Sequence, residues 1–261
     1  MTAPRLRGSA RHPLRRDWGV ALELGSARTR AWVPGRGLIT DVPTVTFGAG
    51  TTYPIQRGTI VDEAGCARML QRLLGHRLPR RTRPHIVLTT PVLDGPAYRS
   101  AARAAVEVLR PRTVRTIPTA RAVALAAGAG LSRPLLVVDV GAHLSEVVLL
   151  SGTGVVDARR AALGTGDLGA ARPAGIADTV ASMITEMLRQ DRTSRTADAL
   201  HRGVLLAGGG ALRPGIVHDL SGLLGVPPRV VPAPHTAAVR GAARHLCALH
   251  GGGLGARPLP R

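Results

Sequence analysis

Two stretches of the chain repeat one pattern. Trp18 to Val33 reads WGVALELGSARTRAWV, and Leu135 to Leu150 reads LLVVDVGAHLSEVVLL. Each runs from an apolar arm to an acid (Glu23, Asp139), one apolar residue, a glycine (Gly25, Gly141), a polar turn and a second arm. The arms are β-branched and leucine-rich, too short for helices and punctuated by glycine, so each copy reads as two strands joined by a tight turn. A glycine turn lets the backbone approach a bound group, and the N–H groups it exposes make a concavity for anions such as phosphate. Two such turns facing each other would grip a polyphosphate from both sides. A third cluster, Gly208-Gly209-Gly210, follows the apolar run Gly203 to Ala207 and precedes Ala211 and Leu212, which reads as a strand feeding a helix.

Between these landmarks strands and helices alternate. Gly37 to Phe47 predicts two short strands broken at Pro43, and Gly48 to Tyr53 a turn-rich link. Apolar residues at helical spacing predict a helix over Glu63 to Leu74, followed by a basic loop from Arg77 to Pro84. His85 to Thr90 reads as a buried strand stopped by Pro91, Ala97 to Leu109 as an Ala-rich helix, Thr113 to Ile117 as a strand, and Ala120 to Ala129 as a helix ended by Gly130. After the second hairpin come the GTGDL turn, Gly164 to Leu168, a long helix over Ile176 to Gln190 and a polar loop, Asp191 to Ala197. A helix over Ile216 to Leu224, a strand over Pro227 to Val231 and a helix over Thr236 to Leu249 complete the order. This alternation predicts an α/β protein.

Composition limits the function. At 261 residues and 44% hydrophobic the chain can bury one large core or two lobes. All 35 basic residues are Arg, a pattern of genome-wide codon bias, but the formal charge of +19 still makes a field that attracts phosphates and anionic surfaces. Trp18, Trp32, Phe47, Tyr53 and Tyr98 are too scattered to form a base-stacking platform, so specific nucleic-acid binding is not expected. Cys66 and Cys247 stand alone, without the spacing of a disulfide framework or a zinc site, which fits a reducing cytoplasm. No apolar run approaches the ~18 to 20 residues of a membrane span, nor is there the apolar segment of a signal peptide. Residues 1–16 read as a disordered basic tail that can tether the chain to anionic lipid at the inner face of the membrane. Residues 250–261 read as a flexible tail.

Strand, acid and glycine turn used twice, with a later strand and GGG, resembles the two-lobed nucleotide-binding fold of actin, the Hsp70 chaperones and the sugar kinases. Within that group the segments ELGSARTRAWVPGRGLITDVPTV, GTIVDEAGCARMLQRLL, VLTTPVLDGPAYRSAARAA, ALAAGAGL, LLVVDVGAHLSEVVLLSGTGVV, RGVLLAGGGALRPG and PAPHTAAVRGAARHL resemble, in order, bacterial actin-like rod shape-determining proteins of the MreB/Mbl family. The resemblance implies an α/β, ribonuclease H-like duplicated ATPase fold with a first lobe over 17–117, a second over 118–249, and a connecting helix at 118–131. Two outer subdomains are reduced to the segments Thr46 to Thr59 and Arg172 to Ala199.

The resemblance also implies a site for ATP and Mg²⁺. Gly25, Ser26, Ala27 and Arg28 would hold phosphates from the first lobe and Gly141, Ala142 and His143 from the second. Gly208, Gly209, Gly210, Ala211 and Leu212 would lie under the adenosine, Gly164 to Asp167 near the phosphates, and Glu23 and Asp139 would accept the metal's water shell. The departures imply weakened or lost binding. Glu23 stands in place of Asp, Arg28 in place of Asn, and Ala142-His143-Leu144 in place of two glycines and a hydroxyl. Counted from Pro91, the paired catalytic carboxylates fall on Pro118 and Thr119, so no hydrolysis is expected. The function implied is cell-shape determination and wall morphogenesis, as a partner of a full-length actin-like protein or of wall-synthesis proteins. A small ATP-dependent kinase of the same superfamily, or a basic scaffold on anionic membrane, are the alternatives.

Overall fold

A computed structural model describes residues 18–47, 51–78, 83–93, 95–152, 154–168 and 173–250. The basic tail 1–16, residues 48–50 of the first link, 79–82 of the basic loop, Arg172 and the final glycine-rich tail from 251 lie outside the described residues.

The first half runs β1 (Gly19–Leu24), β2 (Arg28–Val33), β3 (Gly37–Pro43), β4 (Thr46–Phe47), β5 (Thr51–Thr52), β6 (Ile55–Gln56), β7 (Thr59–Ile60), α1 (Glu63–Leu74), β8 (His85–Thr90), α2 (Gly95–Val106) and β9 (Thr113–Pro118). The second runs α3 (Thr119–Ala126), β10 (Leu135–Val140), β11 (Ser145–Ser151), β12 (Gly154–Ala161), α4 (Pro173–Gln190), α5 (Arg195–Arg202), β13 (Leu205–Ala207), α6 (Pro214–Leu224), β14 (Arg229–Val230) and α7 (Ala237–Leu249). Each half builds one five-stranded mixed sheet, ordered β3-β2-β1-β8-β9 and β12-β11-β10-β13-β14. In both, the repeated hairpin supplies the antiparallel strands, and the strand carrying the acid (β1, β10) pairs in parallel with the next one (β8, β13). The same topology appearing twice is what the duplicated sequence pattern predicts.

Both central strands are covered on both faces, and that is why they are apolar at nearly every position. Val20, Leu22 and Leu24 pack toward α1 and α2, while Ala21 joins Val239, Ala242 and Leu246 of α7 on the opposite face. In the second lobe Leu136, Val138 and Val140 face α4 and α6, and Leu135 and Val137 face α3. Side chains alternate across a strand, so Glu23 lies on the Ala21 side and Asp139 on the Val137 side. These are the sides that turn toward the gap between the lobes. Helices α3 and α7 cross there at close range, for a Cβ on Gly241 would stand 1.7 Å from the Ala122 carbonyl oxygen.

Several expectations need correction. The helix beginning after Pro118 stops at Ala126, ahead of Gly128 at φ +65°, and not at Gly130. The polar stretch after Asp191 is helical from Arg195, because Asp191 Oδ1 accepts from Thr193 N and Oδ2 from Thr196 N, organising the turn that starts α5. Gly154–Ala161 is an additional edge strand. The GGG stretch enters a 3₁₀ turn, Gly209–Leu212, before α6 begins at Pro214. The first link is not turns alone, since it forms two short ribbons, β4–β5 and β6–β7.

Candidate functional site between the lobes

The lobes enclose a cavity of about 290 Å³ lined by residues of both hairpin turns. Its walls include Glu23, Gly25, Ser26, Ala27, Arg28 and Arg30 from the first hairpin, and Asp139, Gly141, Ala142, His143 and Glu146 from the second. Gly208 and Gly209 close one end. The two turns are built alike. Gly25 N donates to Arg28 O at 3.1 Å and Gly141 N to Leu144 O at 2.8 Å, and in both a Cβ would stand 2.9 Å from the same carbonyl oxygen. Those closing bonds occupy the amides of Gly25 and Gly141.

Of the adenosine-side residues, Gly208 and Gly209 reach the cavity, whereas Gly210, Ala211 and Leu212 are not among its lining residues. Gly210 packs under Val140, where a Cβ would meet Cγ1 at 2.3 Å, and Leu212 is exposed. Gly208 has φ +84°, and a Cβ there would stand 2.4 Å from Asp139 Oδ1, so this glycine is required twice over.

Other side chains have internal partners. Arg28 donates from Nε to Asp41 Oδ1 at 2.5 Å and from Nη2 to the Asp41 carbonyl at 2.7 Å. Ser26 Oγ accepts from Gly58 N at 3.1 Å, which ties the β6–β7 ribbon over the first turn. The His143 ring packs against Gly166. The Gly164–Asp167 turn donates to the second hairpin, Thr165 N to Gly141 O at 3.0 Å and Gly166 N to Ala142 O at 2.7 Å, and of its residues Thr165 lines the cavity. Across the mouth Arg57 donates to the Ala162 carbonyl and pairs with Asp167 at 3.0 Å, joining the two lobes.

Three lining residues stand out that sequence reasoning did not select. Arg30, 9% exposed, pairs with Glu23 at 2.8 Å and stands 3.2 Å from Asp41. Glu146, also buried, accepts from Val92 N at 2.9 Å across the interlobe gap. Thr89, at the end of β8, contributes a buried hydroxyl. A charge before the apolar run of β11 was the available signal for Glu146, whereas Arg30 sits beside Arg28 and Thr29 and offered none.

Burial pushes the Glu23 carboxyl up to about 7; Arg30 opposes that shift and the nearby Asp139 and Asp41 charges add to it. Burial likewise raises Asp139 to about 6 against the pull of Arg30. Burial would raise Asp41 too, but Arg28 and Arg30 hold it below the usual carboxylate range. The two predicted metal carboxylates line the same cavity, and the Asp139 charge adds to the rise at Glu23. A guanidinium nevertheless occupies Glu23 Oε1, and among the described residues there is no group of three His, Cys, Asp or Glu able to hold a metal ion. A divalent ion at this pair would therefore share Glu23 with the Arg30 guanidinium.

Two duplicated lobes, each offering a glycine turn and an acid to a shared cleft, define a protein of the actin fold. The comparisons agree. The fold is similar to MreB5 of Spiroplasma citri bound to ADP and, separately, to AMPPNP. Each has TM-score 0.79 at 14% identity, over 90% of this chain and 98% of that one. It is also similar to the MamK double helical filament, with TM-score 0.71 at 15% identity over 88% of this chain and 98% of that one. The ethanolamine utilization protein EutJ from Carboxydothermus hydrogenoformans matches at TM-score 0.64 and 17% identity, over 89% and 91% of the two chains. Residues 48–171, just under half of the chain, match the model of the MreB/Mbl protein family, and the chain has an MreB-like actin fold. No curated protein matches it by sequence.

Proposed function

We propose that this chain is an actin-like cytoskeletal protein of cell-shape determination and wall morphogenesis, whose interlobe cleft binds adenine nucleotide weakly and does not turn it over. The observation that carries the reading is the convergence of both glycine turns and both acids on one cavity. Structures of similar fold that hold ADP and AMPPNP support the choice of ligand. The lobes 17–117 and 118–249 are its units, with α7 returning to cover the first sheet.

The side chains at the expected positions of the catalytic carboxylates support the lack of turnover. Thr119 lines the cleft with a hydroxyl, and Pro118 has no proton-accepting side chain. Glu146 is a carboxylate in the same cavity, held across the interlobe gap by the Val92 amide at Oε1. Orienting a proton acceptor typically contributes ~10² to 10⁴-fold to rate. Partners in this reading are a full-length actin-like protein, wall-synthesis proteins and, through the basic residues 1–16, the anionic inner face of the membrane. Among the described residues no helix is long and apolar enough to cross a membrane.

Thermal unfolding with and without ATP tests the binding. At ligand 100-fold above Kd a bound nucleotide stabilises the native state by about 2.7 kcal/mol, and each kcal/mol moves the Tm of a chain this long by roughly 2–4 °C. No shift with ATP or ADP at saturating concentration would overturn the nucleotide reading. Phosphate release above background is the result that would overturn the lack of hydrolysis. Thr119→Glu alone is expected to remain inactive, because the second turn also lacks the glycines of its relatives.

A further inference from the structure

Strand register sets the charges in the cleft. Glu23 stands opposite Arg30, and Arg30 opposite Asp41, across β1, β2 and β3. The equivalent rungs of the second lobe are Asp139 opposite Glu146 and Glu146 opposite Arg160. The middle rung is therefore a cation in one lobe and an anion in the other, although the backbones are duplicates.

We propose that Arg30 is the resident cation of the cleft, so that a nucleoside polyphosphate binds there without a divalent metal. The inference rests on the nucleotide reading above and concerns the form in which the ligand is bound. Arg30 lies within the cavity wall and is nine-tenths buried. It is held from two sides, by Glu23 Oε1 and Asp41 Oδ1, and swinging away would leave the buried Glu23 without its guanidinium partner, while Asp41 would keep Arg28. The Arg30 Nε stands 3.2 Å from Asp41 Oδ1 without completing a hydrogen bond, so the guanidinium is held in place but not saturated by the protein. Its charge also reaches across the cleft to Asp139. A divalent ion between Glu23 and Asp139 would sit beside this guanidinium in a poorly solvated pocket and be repelled by it. A guanidinium remains charged at any working pH and presents a planar fork of donors that matches phosphate oxygens. The two roles are mutually exclusive at one floor, and the paired Arg30 already fills it.

The test is calorimetric titration of the full chain with ATP and with ADP, once in EDTA and once in excess Mg²⁺, together with titration of Mn²⁺ into the nucleotide-free protein. Expected are nucleotide affinities equal within about threefold in the two buffers, and no Mn²⁺ binding. Arg30→Leu is expected to weaken metal-free binding by about tenfold or more and to make binding Mg²⁺-dependent, whereas Arg30→Lys retains metal-free binding. Circular dichroism verifies that each variant is folded. If Arg30→Leu does not fold, the wild-type comparison and the Mn²⁺ titration decide. Wild-type binding that chelation weakens tenfold or more overturns this inference alone, as does Mn²⁺ binding that Asp139→Asn removes. Absence of binding in both buffers overturns the nucleotide reading and this inference with it.

Discussion

Glu23 and Asp139 give the cleft a pH signature whose sign follows from burial. The Glu23 carboxyl moves from 4.5 to about 7 on folding, and that of Asp139 from 3.8 to about 6. A raised folded value means the unfolded chain releases these protons first, so folding stability declines as pH rises through that window and levels off above about 7. The charges facing Glu23 are Arg30, Asp139 and Asp41, and Arg30 reduces the effect without cancelling it. Urea midpoints are therefore expected to fall between pH 5 and pH 8, with a shallower decline in Glu23→Gln and in Asp139→Asn. Equal slopes in all three proteins would refute the assignment. At this scale the sequence revealed the acids and the glycines, because a charge or a turn residue punctuates an apolar run. It did not reveal the partner of the acid. Arg30 is seven residues beyond Glu23 in the chain, and only the antiparallel register brings them to 2.8 Å.

Among the elements, those with a strong period or a turn residue were legible, and those whose order comes from the tertiary surroundings were not. Helix α1 was read to its ends, since it has a regular apolar face and Asp62 Oδ1 accepting from Gly65 N. Helix α5 escaped because RTADALHR buries little more than Thr196 and Ala199, and edge strand β12 escaped because GVVDARRA is mostly solvent-facing. The crossing of α3 and α7 is likewise invisible in sequence but decides how closely the lobes approach. Gly241→Ala is expected to cost ~1–3 kcal/mol through overpacking, as the new methyl meets the Ala122 carbonyl. Gly222→Ala in α6, where nothing lies within 4 Å, serves as the control and should be neutral or slightly stabilising. Thermal unfolding of the two variants checks the pair; similar losses in both would mean helix crossing is not the constraint. The ribbon β6–β7 makes a second connection between the lobes through Arg57. Since the Arg57 side chain is half-exposed, Arg57→Ala should change stability by less than about 1 kcal/mol. It should nevertheless speed nucleotide release in stopped-flow measurements, because the Asp167 contact spans the mouth of the cleft. An unchanged release rate would reduce this contact to surface decoration.

For the whole molecule, charge and outline bear on assembly together. The formal charge of +19 is spread over a chain of 27.2 kDa, so like copies repel at low salt. Screening shortens that repulsion to about 8 Å at physiological ionic strength, which removes the barrier to approach but adds no contact. A stable interface usually buries ~1,200–2,000 Å² in total with a well-packed apolar centre. On the outer side of the first lobe the described structure offers two ribbons of two-residue strands, whose exposed apolar side chains include Phe47 and Tyr53. Arg72 stands over the Phe47 ring at 5.2 Å, bringing a charge to the edge of that small patch. On the second lobe Val155 and Val156 are exposed on the edge strand β12, which also carries Arg159 and Arg160. The pure protein is therefore expected to remain in the supernatant on sedimentation with ATP at low and at physiological salt, and to pellet when a full-length actin-like relative is added. Negatively charged partners would be favoured by the same field that opposes self-association, so pelleting with the relative should weaken as salt is raised. Ordered filaments of the pure chain in electron micrographs would overturn the expectation. Pelleting that is insensitive to salt would instead place the contact on the apolar residues of the ribbons, and Phe47→Ser would then abolish it.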